Sequence, residues 1–127
     1  MRIEHIAVYV NDLEAAREFY IRYFGAACGE RYHNPKTGFQ SYFLRFADGA
    51  RLELMTAPAL QGLPKADRQT GYSHLAFSVG SRGAVDTLTE RLAADGYRVA
   101  SAPRVTGDGY YESCILDAEG NRIEITE

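Results

Sequence analysis

The sequence predicts an α+β fold in which one supersecondary unit, running strand, helix and then three strands, is used twice. Three observations carry this reading. His5-Ile6-Ala7-Val8-Tyr9-Val10 recurs as His74-Leu75-Ala76-Phe77-Ser78-Val79, 69 residues further on. Asp48-Gly49-Ala50-Arg51-Leu52-Glu53-Leu54 is echoed by Glu119-Gly120-Asn121-Arg122-Ile123-Glu124-Ile125 at an offset of 71. Gly25 and Gly96, each closing a segment with helical spacing, share that second offset. The chain of 127 residues, 46% hydrophobic and 24% charged, suits one soluble globular domain. The expected organisation is a single domain over 1–127, with module 1 at about 1–57, a linker at about 58–72 and module 2 at about 73–127.

Each element has a local reason. The first strand is an alternating apolar run. Asn11-Asp12-Leu13-Glu14 predicts a capping box with Asn11 as the cap, and Leu13, Ala16, Tyr20, Tyr23 and Phe24 then form one apolar helical face that Gly25 ends. This aromatic stripe reads as core. Three β-rich stretches follow at about 27–34, 39–46 and 50–56. The linker carries Pro58, Gly62, Pro64 and Gly71. In the second module Val85, Leu88 and Leu92 repeat the helical face, Gly96 closes it, and strands are expected at about 98–105, 109–117 and 121–126. Tyr110 and Tyr111 point to opposite faces, so one can line a pocket while the other packs.

Charge and composition exclude several function classes. With 14 Lys+Arg against 17 Asp+Glu and no basic cluster, binding to nucleic acid is not expected. No apolar run approaches the roughly 20 residues that span a bilayer, and Met1-Arg2-Ile3-Glu4-His5 puts charges where a signal peptide has its apolar region, so a cytoplasmic protein is expected. Cys28 and Cys114, far apart and without CxxC spacing, are expected as reduced, buried thiols.

The chemistry lies in strand parity. Side chains alternate between the faces of a strand, so Ile6, Val8 and Val10 oppose His5, Ala7 and Tyr9, while Leu52 and Leu54 oppose Arg51, Glu53 and Met55. The duplicate behaves likewise, with His74 opposite Leu75 and Phe77, and Glu124 opposite Ile123 and Ile125. His5, Glu53, His74 and Glu124 therefore all project from the more polar face. Two imidazoles and two carboxylates related by duplication make a mixed nitrogen and oxygen donor set for a divalent transition metal, with positions left for water or substrate. His33 precedes Asn34-Pro35-Lys36 in a turn, lacks a counterpart and is expected at the surface. Arg51 and Arg122 flank turns and are expected in solvent rather than on the carboxylates.

His5-Ile6-Ala7, Asn11-Asp12-Leu13, Phe19-Tyr20, Phe24-Gly25, Leu52-Glu53-Leu54, His74-Leu75-Ala76-Phe77 and the run from Asp117 to Glu124 give the whole chain its resemblance to the vicinal oxygen chelate superfamily. That superfamily includes glyoxalase I, fosfomycin-modifying enzymes, extradiol dioxygenases, methylmalonyl-CoA epimerase and bleomycin-binding proteins. The resemblance implies two βαβββ modules forming a cupped eight-stranded mixed sheet around a metal site, usually in a homodimer that shares ligands between chains. The set His5, Glu53, His74, Glu124 looks most like glyoxalase I, which implies zinc or nickel as the metal. It further implies a hemithioacetal or related vicinal-oxygen substrate, and proton transfer through an enediolate with Glu124 as base and Glu53 as its symmetric counterpart.

Where bacterial glyoxalase I typically has an Arg and an Asn that hold glutathione, this chain has Tyr9 and Ala57, which counts against glutathione as the thiol. The alternatives on the same fold are a fosfomycin-type thiol transferase, whose ligand set fits Glu53 poorly, and a non-catalytic drug-binding protein, which usually lacks the metal set. The expected partner is a small molecule.

Overall fold

Alternation of apolar residues forms strand β1 (His5–Tyr9), and Asp12 starts helix α1 (Leu13–Phe24) by accepting a 2.9 Å hydrogen bond from the Ala15 N–H. The cap is thus Asp12 rather than the expected Asn11. With Asp12 in that place the third helical residue is Ala15, which has no side chain to reach back, and the Glu14 carboxylate instead accepts from the Tyr42 hydroxyl at 2.8 Å. Gly25, at φ +64°, closes the helix in the left-handed conformation that a Cβ disfavours.

This computed structural model describes residues 1–62, 65 and 70–127, so positions 63, 64 and 66–69 of the expected linker lie outside the described residues. The chain divides into two compact units, Met1–Leu63 and Pro64–Glu127.

In the first unit α1 is followed by β2 (Ala27–Cys28), β3 (Tyr32–His33), β4 (Gln40–Arg45) and β5 (Arg51–Thr56). The single strand expected over 27–34 is two short ones, both paired with β4, because Gly29 and its polar neighbours break the run. The sheet order is β1-β5-β4-β2, with β1 parallel to β5 and β4 antiparallel to it.

The second unit repeats the topology with β6 (His74–Ser78), α2 (Arg82–Ala94), β7 (Val99–Val105), β8 (Tyr111–Leu116) and β9 (Arg122–Thr126), in the order β6-β9-β8-β7. Each unit is a βαβββ-like module carrying one mixed sheet. Ser81 caps α2 by accepting from the Ala84 N–H at 3.2 Å. On that helix Val85 and Leu92 are fully buried, Leu88 only partly, and the polar Thr89 takes a buried place. It can do so because its hydroxyl donates to the Val85 carbonyl at 2.6 Å and lies 2.6 Å from the buried Ser113 hydroxyl.

The β8–β9 turn is built by Asp117, whose carboxylate accepts from the Glu119 and Asn121 backbone N–H groups and from the Asn121 side chain. Gly120 sits there at φ +77°. Lys65 adds bonds from Nζ to the Glu119 carbonyl at 2.7 Å and to Asn121 Oδ1 at 2.6 Å, tying the turn that delivers β9.

In each unit one sheet face packs on the helix. Leu44, Leu52 and Leu54 meet Phe19, Tyr20 and Tyr23 in the core of the first, and Ile115, Ile123 and Ile125 join Val85 and Leu92 in that of the second. Leu54 has no exposed surface. Its truncation in Leu54→Ala is expected to cost about 2–5 kcal/mol, read as a lower urea midpoint with an unchanged slope. Cys114 is buried but Cys28 only half so, and both are free thiols. No helix among the described residues is long and apolar enough to cross a membrane.

Candidate metal centre

The parallel pairing of β1 with β5 sets Ala7 beside Glu53, while β4 sets Phe43 on the other side of Glu53. Because Ala7 is small, the His5 side chain, two residues earlier on the same face, can lean toward the carboxylate. His5 Nε2 lies 4.0 Å from Glu53 Oε2. The second unit repeats the arrangement with Ala76 and Cys114 flanking Glu124, and there His74 Nε2 lies 3.0 Å from Glu124 Oε2. The histidines are the more exposed members, at 41% and 37% of their side chains, against 15% for Glu53 and 22% for Glu124. A shielded carboxylate beside an accessible imidazole suits a ligand pair that opens toward solvent.

The structure thus joins the four residues singled out from the sequence in two pairs, one per unit. Among the described residues no three His, Cys, Asp or Glu side chains gather into one group. Each pair supplies one imidazole nitrogen and one carboxylate, donor types that suit a divalent transition metal.

Burial raises the Glu124 carboxyl above its ordinary range. His74 pulls in the opposite direction, Glu112 adds to the rise, and Arg104 and Arg122 oppose it. Glu4 moves the other way, held low chiefly by its hydrogen bond from His5, against the opposing effect of burial, with Arg51 adding to the lowering.

The arginines depart from the solvated reading. Arg51 Nη2 reaches Glu4 Oε1 at 2.5 Å, and its guanidinium stacks 4.2 Å from the centre of the Phe43 ring. Arg122 Nη1 lies 3.7 Å from Cys114 Sγ. Cys114, which the parity reading of β9 alone left out, lies on the Glu124 face because it stands opposite that residue in register, and burial raises its thiol. Tyr111 turns to the helix and donates to Asp86 at 2.7 Å, whereas Tyr110 is exposed. His33 is at the surface, as its turn sequence indicates.

Residues 2–125 match the Glyoxalase/Bleomycin resistance protein/Dioxygenase superfamily, and the chain belongs to it. Among its relatives, the uncharacterised protein YqjT of Bacillus subtilis is 33% identical, over 97% of this chain and 96% of its own. A protein named lactoylglutathione lyase from Escherichia coli O157:H7 is 24% identical, over 100% of this chain and 93% of its own. The V278E mutant of glyoxalase I from Zea mays shares the fold, with a TM-score of 0.79 at 23% identity, over 98% of this chain but 44% of the maize chain.

Proposed function

We propose that this protein is a metal-dependent lyase or isomerase of the glyoxalase I type, acting on a hemithioacetal or related substrate with two adjacent oxygens. The observation that carries the reading is the pairing of a histidine with a shielded glutamate at duplicated positions, on the sheet face away from each helix. His5, Glu53, His74 and Glu124 would hold the divalent ion, zinc or nickel. When bound, that ion supplies Lewis acidity toward the substrate oxygens.

The chain's own work is proton transfer. Glu124 is the base: its carboxylate accepts a carbon-bound proton and returns it to the neighbouring carbon. Its burial favours this, because a carboxyl raised above its ordinary range is a stronger proton acceptor than an exposed one. Glu53 is the symmetric counterpart. The lyase name of the E. coli relative supports the reaction class. Tyr9, half-exposed on the His5 face, offers a hydroxyl where a cation would bind a carboxylate, which favours a thiol other than glutathione.

The test is metal analysis of protein purified without added metal, followed by assays with hemithioacetals of several thiols. One divalent ion per set of four ligands is expected, with His5→Ala and Glu124→Ala each lowering affinity by at least about tenfold, the lower end of what losing an outer partner of a ligand costs. Unchanged metal content and affinity in both variants would refute the assignment. Drug binding or thiol transfer without isomerisation would point to the other chemistries this fold carries.

A further inference from the structure

We infer that Glu4 is a positioning residue that holds the His5 imidazole with Nε2 free to bind metal, and that the second unit lacks this device. The two histidines therefore come to the metal from different starting states. The inference rests on the metal reading above.

Glu4 is itself held in place. Its carbonyl accepts from the Arg51 N–H at 3.0 Å, which ties the backbone ahead of β1 to β5, and its carboxylate is gripped by the Arg51 guanidinium. Arg51 is in turn braced on Phe43, whose ring also meets the His5 ring edge to face, at 5.5 Å and 83°. His5 thus sits between an aromatic wall and a fixed carboxylate, with Nδ1 at 2.5 Å from Glu4 Oε2.

An ionised carboxylate can only accept, so Nδ1 carries the proton that makes this bond. A neutral imidazole has one N–H, and Nε2 is then left with its lone pair toward Glu53. The 4.0 Å gap between Nε2 and Glu53 agrees, since two acceptors have no hydrogen bond to draw them together. A negative partner on Nδ1 also makes Nε2 a better donor to a metal.

The second unit differs at each of these points. Ser73 occupies the place of Glu4, and its neutral hydroxyl lies 3.3 Å from His74 Nδ1. Phe43 is replaced by Cys114, toward which Arg122, the counterpart of Arg51, extends one nitrogen. His74 Nε2 lies 3.0 Å from Glu124 Oε2, close enough that the carboxylate's charge favours a proton on that nitrogen. Before His74 can bind metal through Nε2, that proton has to leave or move to Nδ1. His5 needs no such change, so the first unit is the half prepared for metal.

The test begins with metal-stripped, 15N-labelled protein at about pH 8, above the ordinary imidazole range. Long-range 1H–15N spectra report which ring nitrogen carries hydrogen. His5 is expected protonated at Nδ1 and His74 at Nε2. In Glu4→Ala, His5 is expected to switch to Nε2–H with Glu53 as acceptor, and Zn2+ affinity measured by chelator competition is expected to fall by about ten- to a hundredfold. Ser73→Ala is expected to shift affinity by less than about threefold. Glu4→Gln keeps the shape with a weaker, neutral acceptor, should give a smaller loss than Glu4→Ala, and serves in its place if the alanine protein does not fold.

A parent protein that binds no Zn2+ would overturn the metal reading. A parent that binds Zn2+ while Glu4→Ala and Glu4→Gln match it in tautomer and affinity would overturn only the role of Glu4.

Discussion

Glu124→Gln is expected to keep a divalent ion bound and to lose about a hundredfold or more in turnover of any hemithioacetal the parent accepts, the range in which a positioned general base contributes. Glutamine leaves a neutral oxygen where the carboxylate was, so a donor to the metal survives and the proton acceptor does not. The site tolerates the change sterically: the two side chains have the same shape, and the flanking Ala76 and Cys114 are untouched. Glu53→Gln should be milder if one stereoisomer of the substrate dominates. The decisive measurement is turnover at matched metal occupancy. Equal turnover in parent and Glu124→Gln would remove Glu124 as the base and leave Glu53 or a bound hydroxide in its place.

A comparably large effect is expected from mixing two inactive proteins, His5→Ala and His74→Ala. If a homodimer shares its centres, His5 and Glu53 come from one chain and His74 and Glu124 from the other. Each heterodimer then contains one centre with both lesions and one with none. Random exchange at equal concentrations should restore about a quarter of the parental activity from near zero. The fold offers a reason for association, because β1 and β6 each end their sheet, and strand ends of a sheet order present backbone groups that a partner can cover. No recovery after subunit exchange has been verified by mass spectrometry would exclude shared centres.

Much of this protein was readable from residue order alone. The duplication shows as two offsets, and the period of two places His5 with Glu53, and His74 with Glu124, away from the helices, because strand alternation is a property of the backbone itself. Helix ends were nearly as plain. Gly25 takes the left-handed stop, and the observed cap Asp12 directly follows the expected Asn11, both of which can accept from an early N–H.

What tertiary structure decided is which partner each polar group meets. Thr89 is buried only because Ser113, 24 residues away, lies where its hydroxyl points, and the two short strands within the 27–34 stretch both take their partner from β4. The same holds at the candidate centre. Nothing in the two matching His-Leu/Ile-Ala motifs says that one imidazole is 4.0 Å from its glutamate and the other 3.0 Å. That difference follows from Glu4 against Ser73 and Phe43 against Cys114, whose influence on the histidines depends on strands brought side by side. Local periodicity fixes the face on which a side chain stands. The register of neighbouring strands fixes the distance to its partner, and that is where hydrogen bonds and charge set the chemistry of the pair.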